Sequence, residues 1–514
     1  MMRRLLAALT AGLFLCGCSS PSPSPSSAPA PVLPGASAAS TGPSLADPSL
    51  TGPSVAPVPV ETRRVDAGGD ALTMAVGPLI RSGDVVVLSI GTTLQSAGSA
   101  QVGRQFSASQ TTSFDGARLV DTAGRRVYLT AEAGGNCVCT TRVRIGQGET
   151  RPLQAAFSGV PATVTSLSVM LPYAGVFADV PVVAGPVPAP PTGPDSLGRT
   201  QKPLDLTGAV SVSAALDAYS DRSDVGLRTR SGADGVDLNL DTDVLFKLDS
   251  SQLTAQAGKT IAAAVADVKA AGAGPLTVTG HTDDSGSTAH NQTLSKQRAE
   301  AVATAITGPL PDATWPKTVA AKGETQPAVP NTDAASRARN RRVTISFQGD
   351  GRSAAQRAKA TLPKTAGAVG KAAAGVEVSL PLHRGTIRFT PGRARLSGPF
   401  LQLDLIATTV GPDKATIHDF LGQGVFTARD EFDPYARYGA AGIRLFDGTT
   451  TSYNLDYELH PGDHRCLCDR LLNQPIPPGS SQTLSLWFPA PPPATKSVTL
   501  DVPDKLRLTD VPIG

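Results

Sequence analysis

A C-x-C motif occurs twice in this chain of 514 residues, as CVC at 137–139 and CLC at 466–468, and similar neighbours surround both copies. Upstream, SIGTTL (89–94) answers LIATTV (405–410), and ARLVD (117–121) answers IRLFD (443–447). Downstream, FADVPV (177–182) answers LTDVPI (508–513). Same order and close spacing imply two copies of one domain, at 61–185 and 375–514. Each copy alternates apolar and polar residues in period two, as in VVVLSI and LQLDLI, with Gly, Pro, Asp and Thr clusters between the runs. That pattern predicts short strands stacked as an all-β sandwich.

The sandwiches are expected to be of immunoglobulin-like size, although the widely spaced cysteines around a core Trp are absent. Between the copies the period changes. DVLFKL (243–248), PLTVTGHT (275–282), TVAAKGE (318–324) and RRVTISF (341–347) read as strands. The segments 250–272, 291–308 and 333–340 read as helices, with Leu253, Ala257, Ile261, Ala264, Val265 and Val268 on one face of the first. The order βαβαβαβ predicts a central layered α/β sandwich over 236–350, flanked by the two all-β repeats. Linkers are expected at 186–235 and 351–374.

Five motifs in this middle segment, DVLFKLDSSQL, GHTDDSGS, NQTLSKQRAEAV, GETQPAVPN and RARNRRVTISF, resemble the OmpA-like peptidoglycan-binding domain in kind and order. They cover roughly a fifth of the chain. The resemblance implies noncovalent binding of peptidoglycan through the diaminopimelate of its stem peptide, whose free end carries an ammonium and a carboxylate on one carbon. The family's Asp after G-H-T matches Asp283, and its Arg after N-x-x-L-S-x-x matches Arg298. Asp283 is expected to accept from the ammonium and Arg298 to fork onto the carboxylate, a geometry that favours guanidinium over ammonium. Asn291 is expected to cap the helix or touch the ligand, and Thr282, Gly286 and their loop to offer N–H groups. Arg342 matches the last Arg of the N-R-R motif and is expected near the site, with Arg341 a solvated or structural charge. Lys247, Leu248 and His290 depart from the family pattern, which bears on the pocket's side wall.

The N-terminus reads MMRRLLAALTAGLFLCGCSS. Arg3 and Arg4 precede an apolar run, 5–15, that is shorter than the ~20 residues a membrane-spanning helix needs. LCGC resembles the lipobox of bacterial lipoproteins. It implies a signal peptide at 1–17 and lipidation of Cys18, whose acyl chains anchor it to a membrane. Residues 18–60 are rich in Ser and Pro and read as a disordered stalk. At about 3.1 Å per residue, its roughly forty residues could reach on the order of 100 Å. Export would place Cys137, Cys139, Cys466 and Cys468 in an oxidising compartment, where disulfides are expected, with free thiols or metal as the alternatives.

A net charge of +3 offers no footprint for nucleic acid. GAVGK (367–371) lacks the spacing of a phosphate loop, and Ala372 stands where Ser or Thr would hold a metal. Neither a catalytic pair nor a cofactor motif emerges, so the chain is not read as an enzyme. The expectation is a lipid-anchored, extracytoplasmic envelope protein, on the outer face of the plasma membrane or in the outer membrane, that ties membrane to wall. The alternative is a carrier or assembly factor, positioned on the wall, whose sandwiches bind a partner protein or metal.

Overall fold

The computed structural model describes residues 58–108, 111–187, 189, 197–349, 359–382, 384–422, 424, 439–470 and 475–514. All of these fall in one compact unit, and the expected signal, Cys18 and nearly all of the stalk lie outside them. The protein is multidomain and strand-rich.

The central sheet is built from β1 (Ala218–Arg222), β2 (Leu227–Gly232), β3 (Gly235–Asp241), β4 (Leu276–His281), β5 (Lys317–Gly323) and β6 (Arg342–Phe347). Its spatial order is β5-β4-β6-β3-β2-β1, with β4 and β5 parallel and the other pairs antiparallel. The helices α1 (Thr242–Leu245), α2 (Ala257–Ala271), α3 (Thr288–Thr307) and α4 (Ala334–Asn340) fall between these strands in the chain. Alternation decides which side of the sheet they cover. Val343, Ile345 and Phe347 of β6 bury against Ile261, Val265 and Val268 of α2 and Val302 and Ile306 of α3. α3 lies so close to β4 that a Cβ at Gly280 would come within 1.9 Å of the Ser295 carbonyl oxygen. The helix ends at Thr307, just before Gly308.

The stretch 186–235, expected as a linker, contributes structure. Ser213–Ala215 pairs with Arg126–Leu129 of the first all-β region. β2 and β3 form a hairpin closed by a two-residue loop, Gly232 facing Gly235. β1 pairs on its far side with Thr451–Ser452, so the central sheet continues into the C-terminal region as one sheet of 11 strands. The expected linker 351–374 likewise holds Ala368–Lys371, which runs parallel to Leu506–Pro512. β1 and β2 escape the apolar-run signal because one face carries Tyr219, Asp221, Arg228 and Arg230, and Ser220, Thr229 and Ser231 interrupt the other.

The two all-β regions use like partners. Val85–Leu94 pairs with Thr150–Ser158, as Phe400–Val410 pairs with Ser481–Pro489. Ser166–Leu171 pairs with Gly175–Ala184, as Ser497–Val502 pairs with Leu506–Pro512. Each also has one strand paired in parallel, Leu79–Ser82 with Gly175–Ala184 in one and Ala368–Lys371 with Leu506–Pro512 in the other, but only the second lies at a sheet edge. Cys137 is joined to Cys139 and Cys466 to Cys468, each within its own region. An apolar seam of Val127, Met170 and Val176 against Phe400, Tyr457 and Trp487 fixes the two regions together.

Candidate functional site

The site forms where β4 leaves the sheet and the chain turns into α3. Thr282 donates its N–H to the Gly323 carbonyl (2.9 Å), which ties the departing loop to the end of β5. Asp283 follows and is 6% exposed. Its Oδ1 accepts from the Ser285 N–H at 3.0 Å, and its Oδ2 accepts from Arg341 Nη1 at 2.7 Å. Burial alone would raise this carboxyl, but the bonds from Arg341 and Ser285 hold it below the usual carboxylate range. Gly286, at φ +92°, lets the loop turn back to the helix.

Ser287 is the N-cap of α3, its Oγ accepting from the His290 N–H at 3.3 Å. The capping role weighed for Asn291 therefore belongs to Ser287. Asn291 lies inside the first turn, buried, and its Nδ2 donates to the Asp283 carbonyl at 3.3 Å and to Glu324 Oε2 at 2.5 Å. Glu324 also accepts from Thr288 Oγ1 at 2.8 Å, so it latches the start of α3 to the end of β5. The sequence offered Glu324 only as a letter in GETQPAVPN.

Arg298 projects from α3 and is 5% exposed. Its guanidinium carbon sits 5.4 Å from the centroid of the Phe246 ring, and its Nε donates to the Ser250 carbonyl at 3.0 Å. Neither terminal nitrogen has a hydrogen-bond partner among the described residues, and neither is sealed from solvent. Burial pushes this guanidinium below its ordinary pKa, with Asp243, Asp249 and Asp283 pulling the other way. Arg298 and Asp283 thus share a corner without bonding to each other.

Arg341 carries more of the site than the sequence suggested. Its Nε and Nη2 fork onto Asp243 at 2.8 and 2.6 Å, while its Nη1 reaches Asp283. These pairs, the Asp243 bond foremost, raise its pKa. Arg341 positions Asp283, and Arg298 keeps its fork open. His290 bonds Asp249 at 2.7 Å, and Leu248 stands 98% exposed nearby in the chain.

Arg342 does not join this corner. It is the first residue of β6, and alternation sends it to the face opposite the helices, with Thr344 and Ser346. The signal was present in RRVTISF, where Val343, Ile345 and Phe347 occupy the inward positions. Among the described residues, no group of three or more His, Cys, Asp or Glu is placed to hold a metal, and no helix is long and apolar enough to cross a membrane.

The geometry suits a zwitterion: Arg298 presents two donors in one plane, and Asp283 presents a carboxylate held ionised. Residues 245–341 match the sequence model of the OmpA family, and this segment is an OmpA-like domain within a multidomain chain. The chain is similar to a solved cell wall anchor of the T6SS from Pseudomonas aeruginosa, at 27% identity over 24% of this chain and 88% of the other, with a TM-score of 0.22. It is similar to the peptidoglycan-associated lipoprotein from Burkholderia pseudomallei, at 28% identity over 20% and 88%, with a TM-score of 0.18. It is also similar to the periplasmic domain of Helicobacter pylori MotB, at 20% identity over 26% and 88%, with a TM-score of 0.22. No curated protein sequence matches.

Proposed function

We propose that this protein is a cell-envelope lipoprotein that binds peptidoglycan noncovalently through the diaminopimelate of its stem peptide and so tethers membrane to wall. The observation that carries this reading is Arg298, a nearly buried guanidinium whose two terminal nitrogens have no partner among the described residues, beside an ionised Asp283. A carboxylate on Arg298 supplies a counter-charge, and the neighbouring ammonium meets Asp283, whose Oδ2 accepts one bond, from Arg341, and has a lone pair to spare. The match of 245–341 to the OmpA family supports the same ligand. Thr282, Gly286 and Asn291 shape the loop rather than supply the charges. Nothing in this reading calls for catalysis.

The flanking regions are two copies of one immunoglobulin-like sandwich, a reading supported by their like strand partners and by the matched C-x-C pairs. Cys18, lipidated, is the membrane end of the tether. Co-sedimentation of the full chain with purified sacculi tests the wall end. Wild type pellets and Arg298→Ala stays in solution; equal pelleting of the two removes the proposal. Cys18→Ser tests the membrane end and should move the protein to the soluble fraction of the producing cell.

A further inference from the structure

The helix-free face of the central sheet holds a second site. Arg342, Thr344 and Ser346 of β6 stand in register with Asp241, Asn239 and Asp237 of β3. With His281 of β4 they help floor a cavity of about 690 Å³. That volume lies within the roughly 300–1,000 Å³ of small-molecule sites. Tyr453, beyond the strand Thr451–Ser452, closes its far end, whereas Asp283, Asn291 and Arg298 do not line it.

The charges in this cavity do not cancel evenly. Arg228 is held by Asp241 at 2.5 Å. Arg230 is held by Asp217, Asp234 and Asp237 at 3.2, 3.1 and 3.5 Å. Arg342 has no acid partner among the described residues. Its hydrogen bonds are two 3.4 Å contacts, from Nη1 to the Asn340 carbonyl and from Nη2 to the Gln326 carbonyl. Lys322, at the end of β5, lines the same end of the cavity and has no ion pair among the described residues.

The acids of the neighbouring strand β3 are bonded to other arginines: Asp241, opposite Arg342, holds Arg228, and Asp237 holds Arg230. Asp221, on β1, is three strands from β6, on the order of 14 Å at about 4.8 Å per strand. His281 has a buried Nδ1 without a partner, and burial, with the charge of Arg342 next, pushes its imidazole down to about 3. It is neutral at neutral pH. Arg342 itself is pushed down to about 10 by burial and by Arg228, with Asp237 pulling the other way, and so remains a cation. A desolvated cation with no carboxylate bonded to it is costly, and an anion arriving from solution would relieve that cost.

We propose that this cavity is a second binding site, separate from the corner at Asp283, which takes a small carboxylate or phosphate ligand through the fork of Arg342 with Lys322 beside it. Guanidinium meets both anions in the same two-point geometry. The inference does not depend on the peptidoglycan reading.

The test uses the full chain, titrated with inorganic phosphate and, separately, with glutarate at fixed ionic strength. Affinity is read by calorimetry and stabilisation by melting temperature. At least one anion should bind the wild type and raise its melting temperature by a few degrees at saturation, about 2–4 °C. Phosphate and glutarate acting alone or together identify which oxyanion the site prefers. Arg342→Gln should weaken binding about tenfold or more, and Lys322→Gln by a smaller factor, as fits the loss of a charge-assisted bond. Arg298→Gln should bind the anion as wild type does, and Arg342→Gln should still pellet with sacculi. Lys322→Gln provides the decision if Arg342→Gln does not fold. The proposal is overturned if neither anion binds, if Arg342→Gln and Lys322→Gln bind as wild type, or if Arg298→Gln abolishes binding.

Discussion

The two faces of the central sheet draw on alternate residues of the same strands, yet they handle charge in different ways. On the helix-covered face the inward positions of β3, β4 and β6 carry no charge, and the charged groups gather at the corner where β4 passes into α3. There Arg341 is saturated by two carboxylates, and Arg298 is left with its fork open. On the open face arginines and aspartates pair across neighbouring strands, and Arg342 and Lys322 are left without an acid partner among the described residues. Packing fixes where a charge points on the covered face. On the open face, pairing decides which charge is left over.

The largest effect should come from breaking the covered face alone. Gly280→Val forces a Cβ into the Ser295 carbonyl and must lift α3 off β4. It should cost more than about 4 kcal/mol and abolish sacculus binding. Thr279→Val, one residue away on the other face, should change stability by less than about 1 kcal/mol. Thermal melts of both variants measure the contrast, and equal losses would erase it.

Arg341→Ala should come next. It removes the fork from Asp243 and the bond to Asp283, and should cost about 1–3 kcal/mol. Because Asp283 loses the group that orients it, binding to sacculi should weaken even though Arg341 itself does not hold the ligand. Intact binding with lowered stability would confine Arg341 to the fold.

Acid and base should then separate two carboxylates, one from each side of the sheet. The Asp283 carboxyl is held low in the folded state, so its contribution to stability is present above about pH 3.9 and is lost as pH falls through its folded pKa. Asp221 is raised, by burial first, so its contribution is fully present below about pH 3.9 and is lost as pH rises. At pH 7, Asp283→Asn should therefore lower the melting temperature and Asp221→Asn should raise it, each by on the order of 2–4 °C. At pH 3 both differences should shrink. Melting curves from pH 3 to 8 check the two signs, and like signs would show that the faces do not differ in this respect.

The corner was legible because its chemistry follows the order of the chain. GHTDD and NQTLSKQR place Asp283 and Arg298 either side of a strand-to-helix turn, and the resemblance of those motifs to the OmpA-like domain assigns both to one ligand. The clamp on Asp283 was not legible, because Arg341 lies 58 residues from Asp283 and 98 from Asp243. Only the sheet order, which places β6 between β3 and β4, brings them together. Ser287 was overlooked as the cap because the helix begins three residues before Asn291, with polar residues that carry no apolar period. β1 and β2 read as linker because their apolar inward residues are few, Ala218 and Leu227 among them, while their outward faces are charged. The pairing of β1 with Thr451–Ser452 spans more than 200 residues, and local pattern carries no trace of it.

The most direct test is the titration of a stem peptide bearing diaminopimelate with a free ammonium and carboxylate, against wild type, Asp283→Ala, Arg298→Ala, Arg298→Lys and the double alanine variant. Each alanine change should weaken binding by about ten- to a hundredfold, the loss of one charge-assisted hydrogen bond. Arg298→Lys should recover little, because a point charge cannot fork onto two oxygens. The double variant should lose less than the sum of the singles, since both damage one two-point contact. Arg298→Ala should melt within about 1 kcal/mol of wild type, because the fold pairs Arg298 with no acid. Wild-type affinity in Arg298→Ala and Asp283→Ala, accompanied by lowered melting temperatures, would show that the two charges serve the fold and not the wall.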